Sequence, residues 1–114
     1  SAMVFAHEFG LKGKRRFITA TPKTFFKTYL NVPPASRCYH EVIMDDSPCH
    51  LYFDVEFYTD YNPTKDGSMM VDDLLDGVDK MMRKTLNISL TASMILELDS
   101  SMTNKFSRHI VIQI

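Results

Sequence analysis

The chain has 114 residues, 45% of them hydrophobic and 24% charged, with two cysteines and a net charge of −1. This composition excludes a disordered chain, a disulfide-stapled scaffold and a zinc module built on four cysteines, and the length holds one domain or part of one. No apolar run approaches the roughly 18 residues a membrane span needs and no secretory pattern opens the sequence, so an intracellular protein with free thiols at Cys38 and Cys49 is the expectation.

The near-neutral total conceals an asymmetry. Residues 1–37 carry seven basic side chains against Glu8 alone, residues 38–104 carry thirteen acidic against four basic, and Lys105 and Arg108 follow. The run KGKRR (Lys12 to Arg16) is the densest basic stretch, and it suits either a solvated turn or a phosphate contact. Ser1, Ala2 and Met3 look like the remnant of a cleaved tag and are set aside. The C-terminal HIVIQI stops in mid-strand pattern, which leads us to expect a piece cut from a longer protein. The triplet Asn87-Ile88-Ser89 matches a glycosylation acceptor only formally.

In chain order, RRFITA (Arg15 to Ala20) reads as a strand, and Thr21-Pro22 supplies a helix cap and a first helical residue. Phe25, Phe26, Tyr29 and Leu30 recur at helical spacing and are expected to pack inward, and Pro33-Pro34 ends the helix. CYHEVIM (Cys38 to Met44) has strand character, Asp45 to Pro48 has turn chemistry, and a hairpin into CHLYFDVEF (Cys49 to Phe57) follows. After a polar loop from Tyr58 to Gly67, Val71, Leu74, Leu75, Val78 and Met82 share one face of a helix spanning about Met69 to Leu86. Its early Asp72 and Asp73 and late Arg83 and Lys84 suit the macrodipole. SMILELD (Ser93 to Asp99) and KFSRHIVIQI (Lys105 to Ile114) complete the set as strands. The order predicts an α/β (α+β) fold with helices packed on a mixed, mostly antiparallel sheet.

Two short patterns carry chemistry. In CHLYFDVEF, the two-residue strand period puts Asp54 and Glu56 on one face with His50 and Tyr52, and Leu51, Phe53, Val55 and Phe57 on the other. Two carboxylates roughly 6 to 7 Å apart along a strand can share hard cations such as Mg²⁺ or Mn²⁺, which take oxygen ligands. By itself the D-x-E pattern is weak, because many solvated strand faces contain one. In KFSRH, Ser107 and His109 also share a face, a hydroxyl and an imidazole that can donate to phosphate oxygens, with Lys105 upstream as a point charge. A core or half-exposed histidine is the plainer reading of His109 taken alone. If the two strands lie in one sheet with these faces on the same side, bound metals would sit beside a triphosphate cradle. A serine–histidine hydrolase is less convincing, since no orienting acid or oxyanion hole is evident.

CHLYFDVEF followed by LELDSSMTNKFSRHIVI resembles the primase-polymerase (PrimPol) branch of the archaeo-eukaryotic primase superfamily, and the resemblance runs from about Arg15 to Ile114. It implies a partial primase-type catalytic domain with an RRM-like palm over residues 4–114, in which 15–44 form an N-terminal module and 49–114 a metal- and nucleotide-binding module. It implies catalytic, metal-binding roles for Asp54 and Glu56 with Mn²⁺ or Mg²⁺. Nucleotide-binding roles follow for Lys105, Ser107 and His109, and nucleic-acid contacts for Arg16, Arg15 and Lys14. The implied partners are a DNA template-primer, dNTPs or NTPs, and replication proteins reached through other regions, with no membrane. Replication restart, damage tolerance, translesion synthesis and nuclear or mitochondrial residence are implied in the same way. The family's third metal aspartate and zinc module find no match here, so the fragment alone is expected to be inactive. The alternative is a non-catalytic nucleotide-binding or protein-interaction domain on the same scaffold. A metal-dependent nuclease fits less well, lacking the usual lysine near the acidic pair.

Overall fold

The computed structural model describes every residue from Ser1 to Ile114. The chain divides into two compact units, Ser1–Cys49 and His50–Ile114. Each unit builds its own three-stranded antiparallel sheet, where the sequence suggested a single mixed one. The mixed α/β character stands.

In the first unit, β1 (Met3–Phe9), β2 (Lys14–Ala20) and β3 (Tyr39–Val42) pair in the order β2-β1-β3. The central strand β1 has no counterpart in the sequence reading, which set aside Met3. Its adjacent residues Phe5 and Ala6 are both buried, so the alternation that advertises a strand is lost. The turn into β2 uses left-handed backbone at Gly10, Lys12 and Gly13, each at φ 67°, and the two glycines adopt it without a Cβ penalty. Helix α1 (Pro22–Tyr29) starts as expected, with the Thr24 N–H donating to the Thr21 hydroxyl at 3.2 Å. Phe25 anchors it, stacked on Phe5 with ring centroids 3.8 Å apart. Phe26 and Leu30, expected inside, are exposed. Eight residues make only two turns, and one anchoring face satisfies them.

The expected hairpin from β3 into the acidic strand does not form. β3 pairs with β1, aligning Tyr39 with His7 and Val42 with Val4. The turn chemistry at Asp45 to Pro48 is real, with Asp46 at φ 61° and the Ser47 N–H bonded to the Met44 carbonyl at 3.2 Å. It leads the chain out of the sheet instead of folding it back, because the unpaired edge of β1 offers β3 a complete ladder.

In the second unit, β4 (Leu51–Tyr58), β5 (Ile95–Asp99) and β6 (Lys105–Ile112) pair in the order β4-β6-β5. The middle strand β6 carries the fully buried Ile110 and Ile112, which pack with Val71, Val78 and Met82 of helix α2 (Gly67–Leu86). Burying each such side chain contributes about 1.5–3 kcal/mol. Phe53 and Val55 close the core from β4, so one sheet face is committed to α2. The helix begins two residues before the expected Met69, because Asp66 is its N-cap and accepts from the Met69 N–H at 3.1 Å. It ends at Asn87, in left-handed backbone at φ 54°. A 3₁₀ turn (Ala92–Met94) takes up the start of the expected Ser93 to Asp99 strand. No helix is long and apolar enough to cross a membrane.

Candidate active site

The register between β4 and β6 decides where the two patterns meet. Asp54 stands opposite His109, Glu56 opposite Ser107, and Tyr58 opposite Lys105. Directly opposed residues point to the same side, about 4.5–5.5 Å apart at Cβ. D-x-E and S-x-H therefore share the sheet face turned away from α2. The alternation within β4 explains this: Phe53, Val55 and Phe57 are half-buried, while Asp54 and Glu56 are exposed.

An ion pair and a histidine–carboxylate approach bridge the two strands on that face. Lys105 Nζ lies 2.7 Å from Glu56 Oε1, and His109 Nε2 lies 3.7 Å from Asp54 Oδ1. The Glu56 carboxylate holds the Lys105 ammonium above the usual lysine range, with Tyr58 and Asp54 adding to the effect. The Lys105 ammonium also lies 5.9 Å from the centre of the Tyr58 ring. Two anions, a permanent cation and an imidazole thus occupy a patch three facing residue pairs long.

Ser107 is buried, and its backbone is fixed from the β5–β6 turn. The Ser107 N–H donates to Ser101 Oγ at 3.0 Å, the Ser101 hydroxyl donates to the Ser107 carbonyl at 3.3 Å, and the Ser100 N–H donates to the same carbonyl at 2.9 Å. Ser101 is held in turn by Asp99, whose Oδ1 accepts its N–H at 2.8 Å. Ser101, through its side chain and N–H, keeps the Asp99 carboxyl below the usual range, and Arg108 lowers it further. A one-residue slip of β6 would move Ser107 and His109 to the helix face, so this clamp protects the site's handedness. Sequence reasoning assigned Ser101 no role. The available signal was an aspartate two residues before a serine, the pattern of an Asx turn.

Arg108 belongs to the opposite face. It pairs with Glu97 and with Asp99, the latter at 3.4 Å, and lies over the Phe106 ring at 5.0 Å. Its work is structural, tying β5 to β6.

Whether Asp54 and Glu56 suit a metal turns on their donor chemistry. Both are accessible carboxylates on one strand face, and hard divalent cations select such oxygens. No group of three or more His, Cys, Asp or Glu side chains converges as a ready cage. The pair fits as part of a coordination sphere. Lys14, Arg15 and Arg16 lie in the other unit, exposed on β2, with Arg16 over the Phe9 ring at 5.0 Å.

The sequence is 37% identical over 102 residues to the DNA-directed primase/polymerase protein of Homo sapiens, 36% over 102 residues to that of Mus musculus and 37% over 101 residues to that of Gallus gallus. These matches cover 90%, 90% and 87% of this chain. The chain belongs with the DNA-directed primase/polymerase proteins. It spans less than a fifth of their length, 18%, 19% and 17% respectively. No protein-family model matches it.

Proposed function

We propose that this chain is the metal- and nucleotide-binding part of a template-dependent primase and DNA polymerase, which joins nucleotides by attack of a deprotonating 3′-hydroxyl on an α-phosphate, breaking its bond to the β-phosphate and releasing pyrophosphate. The observation that carries the reading is the β4–β6 register, with Asp54 facing His109 and Glu56 facing Ser107. Asp54 and Glu56 would hold Mn²⁺ or Mg²⁺, which neutralises charge on the attacking and leaving oxygens in a two-metal transfer. Lys105, Ser107 and His109 bind and orient the triphosphate through charge-assisted hydrogen bonds. Arg16, Arg15 and Lys14 meet the nucleic-acid backbone as point charges. Replication restart and damage tolerance, including translesion synthesis, in the nucleus or mitochondrion are the roles this reading extends to.

The test uses a longer protein that contains this chain, in template-directed primer extension with Mn²⁺. Asp54→Ala and Glu56→Ala should each reduce extension by about a hundredfold or more, beyond the loss typical of residues that only support a ligand. Unchanged extension in either variant would remove that residue from the metal site. With two carboxylates, the chain of 114 residues is proposed not to extend a primer by itself. Extension by it would contradict that part of the reading.

A further inference from the structure

Under the reading above, on which this inference rests, one side chain has two claims on it. Lys105 is assigned to an anionic triphosphate, yet its ammonium lies 2.7 Å from Glu56, a carboxylate assigned to a cation. We propose that Lys105 is an exchangeable countercharge: it competes with a divalent cation for Glu56 and, once displaced, holds the triphosphate.

The geometry favours exchange over a fixed bridge. Lys105 stands opposite Tyr58 and reaches diagonally to Glu56, which itself stands opposite Ser107. Release therefore needs only rotation about a flexible four-carbon stem, with no change in strand pairing. Both partners retain solvent access, with the lysine side chain 28% and the glutamate side chain 42% exposed, so a hydrated ion can approach. Electrostatics supplies the coupling. With Lys105 committed to Glu56, an arriving triphosphate meets the negative charge of Asp54 with no free ammonium to offset it. With a cation on the carboxylates, the same ammonium becomes a phosphate donor. Cation and triphosphate then bind with positive, reciprocal coupling.

The experiment measures Mn²⁺ binding to the chain without nucleotide, from the paramagnetic resonance signal of free Mn²⁺. Lys105→Ala should tighten Mn²⁺ binding about two- to fivefold, the range an exposed ion pair commands. Lys105→Met, which keeps an unbranched stem of similar length without the charge, should do the same, and Lys65→Ala, which removes an equal charge from the loop before α2, should have little effect. In a second arm, inorganic tripolyphosphate is titrated in chelator without metal. Glu56→Gln should tighten its binding, and adding Lys105→Ala should cancel that gain, the signature of a coupled pair. If Asp54→Asn and Glu56→Gln weaken Mn²⁺ binding while Lys105→Ala leaves it unchanged or weakens it, the exchange is refuted and the metal-site reading survives. If Asp54→Asn and Glu56→Gln leave Mn²⁺ binding unchanged, the metal-site reading itself fails.

Discussion

Asp79, far from the acidic strand in sequence, shows how single carboxylates hold the second unit together. Its Oδ1 accepts the Leu90 N–H at 2.8 Å and its Oδ2 pairs with Arg83 Nε at 2.8 Å, tying the C-terminal half of α2 to the segment that leads into β5. The Leu90 N–H above all, then Arg83, hold this carboxyl below its ordinary value of 3.8. A carboxyl depressed in the folded state contributes stability that is fully present above the unfolded value and is lost as pH falls through the folded one. Asp79→Asn should therefore lower the urea midpoint at pH 7, and the gap to the parent chain should narrow by pH 3. A gap of equal size at both pH values would rule out the carboxylate as the source of that stability.

At the scale of elements, the start of α2 is set by a close approach that only glycine permits. A Cβ at Gly67 would fall 2.3 Å from the Phe106 ring, which also stacks on Phe57 with centroids 5.2 Å apart. Gly67→Ala should destabilise the chain by about 1–3 kcal/mol, the usual cost of overpacking, read as a lower denaturation midpoint. An unchanged midpoint would mean that Phe106 moves aside freely. The long helix and the strands of the second unit were legible because each buries one clean face: Val71, Val78 and Met82 at helical spacing, and Ile110 and Ile112 at strand spacing. The shared face of the candidate site was legible for the same reason, since the period of two that turns Phe53 and Val55 inward pushes Asp54 and Glu56 to the other side. Pairing partners were not legible. Which edge β3 joins depends on β1, whose adjacent buried Phe5 and Ala6 erase the strand signature. The clamp at Ser101 was legible only as an Asx turn at Asp99, because its bonds to Ser107 depend on where the β5–β6 turn closes.

At the scale of the molecule, the two units divide the chain's charge between them: the basic run lies in the first, and the acidic strand with its S-x-H partner in the second. The second unit contains every residue proposed to hold metal and triphosphate, so the central claim can be tested on the chain of 114 residues without any activity assay. The measurement is the loss of amide NMR signals on titration with substoichiometric Mn²⁺, which broadens resonances nearest the ion. The account predicts broadening centred on Asp54 and Glu56 and spreading across the strand pair to Ser107 and His109. Broadening centred instead on another acidic stretch, such as Asp72 and Asp73 of α2 or Asp45 and Asp46, with β4 and β6 left sharp, would contradict it.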